Sequence, residues 1–395
     1  MANANAGQTD LAYVLESTYG TTPGGPSMKY LRNVSNGLNA ERSVLASRER
    51  RADGQVAFVR HGMHRAGGPI ECELSWQALK DWIRAALRYL TTSGRGITTI
   101  ADASANNLTW AAADDSVTRA SGSWVTDGFV VGMKIRYTGA GLNGVSPLGV
   151  WTISAVTAAK LTFEENAVVN ETLASGAHVF EGEYATNGTT ESSFSAERGH
   201  TDIAQYMIFT GLKINTMSFS FTPDEIPTVS FDTIGADVSI SGSRLDAAID
   251  DVDTSEPLDN YNGDFLEAGV TSAILRAMDC SLSWNRAGLE ALGSDEFVDV
   301  SAGTFVVTGS VRAYFQNATL YNKFINETAS SLMMMCTDPA GNRFYLYFPE
   351  LKYIGGDIPV GGDDVLEINM PFQAYRDPTR GTTVEISMVP ATAAA

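Results

Sequence analysis

Apolar and polar residues alternate with period two from Ile70 to Trp76. Ile70, Cys72, Leu74 and Trp76 face one way, and Glu71, Glu73 and Ser75 the other. This pattern predicts a strand in a sheet with one wet face. The period then changes. Leu79, Trp82, Ile83, Ala86, Leu87 and Leu90 form one apolar stripe at helical spacing, so a helix over 77–90 is predicted, ended by Gly94 and Gly96. A second series has the same order. Met278, Cys280, Leu282 and Trp284 alternate with Asp279, Ser281, Ser283 and Asn285. A long strand over 304–315 follows, and then a helix over 317–328 with Leu320, Tyr321, Phe324 and Ile325 on one face.

The two halves therefore read as copies of one strand–helix–strand unit. Trp82-Ile83 answers Phe324-Ile325 on the helix stripe. Each helix is followed by a Ser-Ser-apolar strand start (Ser192-Ser193-Phe194, Ser330-Ser331-Leu332), two hairpin strands and an alternating strand that ends in an Asp turn, at Asp237 and Asp377. Residues 97–182 differ in character. They are rich in Thr, Ala, Ser, Gly and Val, with short strands at 130–137, 149–156 and 160–164, and read as a small all-β insertion.

The expected organisation is an N-terminal arm over 1–27 and a discontinuous first domain over 28–96 and 183–245. The insertion at 97–182, an acidic linker over 246–269 and a second domain over 270–395 complete it. The arm is small, polar and rich in Gly and Pro. The linker carries Asp246, Asp250, Asp251, Asp253, Glu256, Asp259, Asp264 and Glu267. It reads as a solvated connection or a calcium site, although the spacing of an EF-hand loop is absent.

Composition narrows the function. With 44% hydrophobic and 18% charged residues the chain is globular, and a net charge of −19 argues against tight nucleic-acid binding, which requires cations at the phosphates. An acidic wall past which DNA slides without sticking is compatible with that charge. Cys72, Cys280 and Cys336 are odd in number and widely spaced, which implies free thiols in a reducing compartment. The N-terminus has no basic or apolar signal region and no apolar run approaches a membrane span, so cytoplasmic assembly is expected.

Catalytic and cofactor motifs fall short. Gly139-Ala-Gly141-Leu-Asn-Gly144 fits the dinucleotide fingerprint, but a strand is predicted after it where a helix is required, so it reads as a hairpin turn. His61 and His64 lie in a Gly- and Arg-rich stretch without a third metal ligand. His178 and His200 stand alone, and all four read as surface or turn residues. No serine has a nucleophile-elbow context, so the scattered His and carboxylates give a hydrolase reading little support. No enzyme activity, cofactor or metal is expected. Trp110, Trp124 and Trp151 in the insertion suit either a core or a carbohydrate-stacking platform, the latter belonging to a virion or cell-surface binding module.

One charge cluster is unusual. Arg42, Arg48, Arg50, Arg51, Arg60 and Arg65 crowd a predicted hairpin, and the matching stretch of the second half is acidic, with Glu290, Asp295, Glu296 and Asp299. Opposed charge of this kind points to self-association.

Several stretches resemble the phage tail tube protein family. They are Tyr13-Val-Leu-Glu-Ser-Thr-Tyr-Gly-Thr-Thr-Pro23, the Arg-rich run into Gly68-Pro-Ile-Glu-Cys-Glu-Leu, and Ser193-Phe-Ser-Ala-Glu-Arg-Gly. With them goes Phe209-Thr-Gly-Leu-Lys-Ile-Asn-Thr-Met-Ser-Phe-Ser-Phe. The insertion, with Asp127-Gly-Phe-Val-Val-Gly-Met-Lys-Ile and Gly149-Val-Trp-Thr-Ile, resembles the small Ig-like β-domains that decorate such tubes. The resemblance implies a mainly β fold with two short helices, a duplicated tail-tube sandwich or barrel, in the tail of a non-contractile, long-tailed phage. It implies stacked rings around a lumen that conducts double-stranded DNA, with the tape measure and terminator proteins as further partners. Two copies per chain lead to an expected homotrimeric ring with pseudo-sixfold symmetry, a hexamer being the alternative. The Arg42–Arg65 hairpin is expected to contact the adjacent ring, and wet strand faces bearing Glu71, Glu73, Asp279 and Glu367 to line the lumen.

Overall fold

The computed structural model describes residues 3–75, 78–89, 95–100, 108–139, 150–173, 178–250, 254–271, 275–359 and 365–391. The protein is mainly β and antiparallel, with two short α-helices among the described residues, Lys80–Ala86 and Thr319–Ile325. Trp76, Leu90, Gly94 and the Ala140–Gly144 part of the fingerprint-like turn lie outside the described residues.

Two sets of seven strands follow one scheme. The first set is Thr9–Leu15, Asn39–Ala46, Val59–Glu73, Phe194–His200, Gln205–Phe221, Thr228–Gly235 and Asp237–Ser241. The second is Asp259–Glu267, Leu275–Ser283, Val306–Tyr314, Ser330–Thr337, Arg343–Tyr353, Glu367–Ala374 and Glu385–Val389. In each set the first strand pairs with the fourth, the second with the third, and the third with the sixth. The fifth pairs with the fourth, sixth and seventh. The helix falls between the third and fourth strands in both. Even an irregularity recurs, because the fourth–fifth pairing slips at Phe194/Ala196 and again at Ser330/Leu332.

The fifth strand of the first set explains how one sheet becomes two layers. Residues 205–210 of Gln205–Phe221 pair in one sheet with Asp237–Ser241 and Phe194–His200. Residues 216–221 pair in another with Thr228–Gly235 and Leu275–Ser283. Between them Gly211 adopts φ +69°. A Cβ there would lie 2.9 Å from the Tyr19 ring and 3.0 Å from the Ala236 methyl, so glycine permits both the bend and the close approach. Alternation then sends Met217, Phe219 and Phe221 inward and Thr216, Ser218 and Ser220 outward.

The first helix closes the gap between the layers. Trp82 stacks on Phe194 at 4.7 Å, meets Tyr13 edge-on at 5.6 Å and touches Phe231 at 5.5 Å, so one ring contacts strands of both sheets. Leu79, Ile83, Ala86 and Leu87 are buried with it, as the stripe predicts. The second helix is shallower. Leu320, Tyr321 and Phe324 are only partly buried and Ile325 is 57% exposed, so the match between Ile83 and Ile325 does not extend to burial.

Three expectations change. Residues 9–15, expected in an arm, form an inner strand with Leu11, Ala12 and Tyr13 buried, because their short apolar run fills the edge beside Phe194–His200. The acidic stretch carries the strand Asp259–Glu267, and its carboxylates act as local acceptors. Asp246 takes the Met28 N–H at 2.9 Å, and Lys323 is ion-paired to Glu267 at 2.5 Å. The histidines are not all superficial. His64 lies in Val59–Glu73, buried 2.5 Å from Asp237, and His178 is buried with Nδ1 2.7 Å from the Tyr137 hydroxyl.

The inserted segment has its own core of Leu108, Trp110, Trp124, Phe129, Ile135, Trp151, Phe163 and Phe180. His178–Thr186 carries this core into the rest of the molecule by pairing with Glu385–Val389, as well as with Arg95–Ile100 and Lys134–Thr138.

Trp82→Ala removes a ring wedged between both layers and should destabilise the fold by about 3–5 kcal/mol in urea unfolding. A loss under about 1 kcal/mol, the level of a conservative core change, would show that the helix does not join the layers.

Candidate assembly surfaces

Asn39–Ala46 and Val59–Glu73 form the hairpin that carries the arginines, with Leu45 opposite Arg60 and Val44 opposite His61. Every residue of Asn39–Ala46 is exposed, as are Arg48, Arg50, Arg51, Arg60 and Arg65. Arg51 pairs with Asp53 at 3.1 Å, whereas Arg48, Arg50 and Arg60 make no ion pair among the described residues. Charge patterning alone misses a second property. Val44, Leu45, Val56, Phe58 and Val59 are each 60–69% exposed at the same end. Exposed aliphatic and aromatic groups among arginines mark a contact surface. Their signal in the sequence is a β-rich apolar run inside a basic stretch.

The acidic loop lies against the base of this hairpin in the same chain. Ala287–Leu289 pairs with Asp299–Ser301, and Phe297 is tucked under Gly288 with the Arg65 guanidinium 5.5 Å from its ring. Glu290 accepts from Arg65 at 3.4 Å, the Asp295 carbonyl accepts the His64 N–H at 2.6 Å, and Asp299 accepts from Lys213 at 2.7 Å. Burial pushes the Asp299 carboxyl up, but the Lys213 and Val300 N–H bonds outweigh it and hold it below its ordinary value. Glu296 is raised by burial and by its neighbours Asp237 and Asp295. Arg65 and Asp299 therefore have partners within the chain. Beside them a cleft of about 560 Å³ is lined by Asn39, Glu41, Arg65, Gly67, Thr233 and Glu290.

The third surface is the wet face of the long sheet that both strand sets share. Eight strands run side by side. They begin with Asn39–Ala46, Val59–Glu73, Thr228–Gly235 and Gln205–Phe221, and continue through Leu275–Ser283, Val306–Tyr314, Glu367–Ala374 and Arg343–Tyr353. One row across it reads Glu71, Ser230, Ser218, Ser281, Thr308, Gln373. The next reads Glu73, Thr228, Ser220, Asp279, Ser310, Pro371. Hydroxyls bond along these rows, Ser218 to Ser281 at 3.3 Å and Ser220 to Asp279 at 2.7 Å. Glu71, Glu73, Asp279 and Glu367 all lie on this face. Asp279 is 3.6 Å from Arg312, and Glu367 is ion-paired to Arg276. The face is a hydroxyl-rich, weakly acidic plane shared by both strand sets.

The family model described as phage tail tube protein matches residues 7–374. The chain belongs to the phage tail tube protein family. No curated protein matches it. This tail tube protein is a structural component of a virion tail, of a kind that associates with itself and with other tail proteins. Among its described residues no helix is long and apolar enough to cross a membrane, and no three His, Cys, Asp or Glu side chains converge on a metal-sized site.

The depressed Asp299 carboxyl has a testable sign. Its stabilising contribution is complete above the unfolded value near 3.8 and is lost as pH falls through the lower folded value. Amide protection factors over residues 287–301, with the intrinsic exchange rate at each pH divided out, should fall below about pH 4 in wild type and lose that dependence in Asp299→Asn. Equal pH profiles would rule out Asp299 as the clamp on the loop.

Proposed function

We propose that this chain forms three-membered rings with pseudo-sixfold symmetry, which stack into the tube through which DNA is ejected. The observation that carries this reading is the use of one pairing scheme twice in a chain whose wet inner face runs unbroken across both uses. Three chains contributing eight strands each, at about 4.8 Å spacing and an ordinary barrel tilt, would close at roughly 45–52 Å between opposite backbones. Two chains would leave roughly 30–35 Å between backbones, which side chains on both walls narrow to about the width of a bare duplex without its hydration. The Ser/Thr rows with Glu71, Glu73, Asp279 and Glu367 then face the DNA. Hydroxyls and net negative charge give phosphates nothing to hold, so the duplex slides.

The insertion attaches through Glu385–Val389, on the layer away from the wet face, which suits a decoration outside the tube. Its tryptophans are at most 2% exposed, so they support a core in preference to a sugar platform. The hairpin tip, with Arg48, Arg50, Arg60 and Phe58, is assigned to the neighbouring ring, and the ends of the tube to the tape measure and terminator proteins. Three buried free thiols fit assembly in the reducing host cytoplasm. The role is structural and involves no catalysis.

Purified protein at rising concentration should give rings or tubes in negative stain; a persistent monomer would overturn the reading. Arg48, Arg50 and Arg51 changed together to Glu should shorten the tubes, most at low salt where screening is least. Tubes of unchanged length would dismiss the electrostatic role of the hairpin and leave the tube itself standing.

A further inference from the structure

Residues 242–250 follow the seventh strand of the first set and run as a strap over its first and fourth strands. Three bonds tie the strap to the chain ahead of the hairpin. Met28 N–H donates to Asp246 at 2.9 Å, Asp250 N–H to the Met28 carbonyl at 2.9 Å, and Tyr30 N–H to the Asp250 carbonyl at 3.0 Å. Leu31 N–H in turn reaches the Leu11 carbonyl at 2.8 Å, so whatever holds the strap also holds the N-terminal strand.

One fully buried carboxylate lies under this strap. Glu197 is 0% exposed and sits opposite Ala12 in the pairing of Thr9–Leu15 with Phe194–His200. Its Oε2 accepts the Leu245 N–H at 2.7 Å, while Oε1 has no hydrogen-bond partner among the described residues. The Arg244 guanidinium stays 3.9 Å from Oε1 and is ion-paired to Asp10 instead. Asp10 leans over Gly199, where a Cβ would lie 2.2 Å from its Oδ1, and that oxygen also lacks a donor. The Tyr206 ring lies 5.2 Å from the guanidinium, and Tyr30 is near enough to act on its charge. Asp246 is the third carboxylate that acts on Glu197. Three carboxylates thus share one cation, and a buried charge without full pairing is costly. Burial pushes the Glu197 carboxyl up. The Leu245 N–H and Arg244 oppose this rise, and Asp10 and Asp246 add to it.

We infer that Glu197 is a proton-operated clasp: in mildly acidic solution it binds a proton and grips the strap and the N-terminal strand, and it loosens both when ionised. A neutral carboxyl ends the uncompensated charge and brings one more donor to a cluster in which two acceptor atoms lack one. It keeps the carbonyl oxygen that the Leu245 N–H requires. The folded value lies above the unfolded one near 4.5. The stabilisation is therefore complete below 4.5 and is lost as pH rises through the folded value. Asp246 works in the opposite sense. The Ala248 and Met28 N–H bonds hold it below 3.8, so its loss is confined to more acidic solution. The clasp acts within one chain and does not depend on how chains assemble.

Amide protection factors of Met28, Tyr30 and Asp250 in the full-length protein, with intrinsic exchange rates divided out, read the clasp. Between about pH 8 and about pH 5 they should rise as pH falls, by at most about tenfold per pH unit for a single proton. The Trp124 amide, bonded to the Ala158 carbonyl in the insertion, should stay level. Glu197→Gln is neutral at every pH. Its protection at about pH 8 should match that of wild type at about pH 5 and stay flat. Asp10→Asn keeps Glu197 ionisable and removes one opposing charge, so the wild-type rise should move to lower pH. Level protection in wild type, or Glu197→Gln less protected than wild type at about pH 8, would reduce Glu197 to a plain acceptor for Leu245 and overturn the clasp. Should Glu197→Gln fail to fold, Asp10→Asn decides: a rise moved to lower pH supports the clasp, and a rise at unchanged pH overturns it.

Discussion

The fold depends on where strand edges find their hydrogen-bond partners. Gln205–Phe221 is the clearest case, since it serves four other strands by giving its first half to one sheet and its second half to another. That division requires the bend at Gly211 and sets the sandwich. It also exposes the edge that Leu275–Ser283 fills, which joins the two strand sets. The core follows from it. Trp82 can lie between Phe194 and Phe231 only because the bent strand holds their sheets at a ring's width. Buried backbone groups must be paired, and here that requirement links sequence to architecture and architecture to assembly.

Much of this was legible in the chain. The alternation of Glu71, Glu73 and Ser75 against Ile70, Cys72 and Leu74 names the wet face directly, because period two leaves no other arrangement. The same holds for Asp279 and Ser281, and the helix stripe from Leu79 to Leu87 is buried as its spacing requires. What escaped was tertiary. Thr9–Leu15 looked like an arm because its apolar run is short, and only the edge of Phe194–His200 makes it a core strand. Asp259–Glu267 looked like a linker because its charges hide a strand held by pairing with Ser330–Thr337. His64 sits in a stretch that reads as a loop, yet it is buried beside the distant Asp237.

The charged surfaces carry contacts within the chain as well as charge. Arg65 and Glu290 meet within one chain, so part of the opposed charge holds the acidic loop to its own hairpin. The more distal arginines share their end of the hairpin with Val44, Leu45, Val56 and Phe58. A surface that is both apolar and basic gains from burial against a partner and is oriented by charge.

The central claim is that one chain supplies two positions in a ring. Native mass spectrometry of single rings released from assembled tubes tests it most directly. The account predicts a ring of three times the 42.2 kDa chain mass. A ring of six chains would mean that each chain supplies one position, and would contradict it.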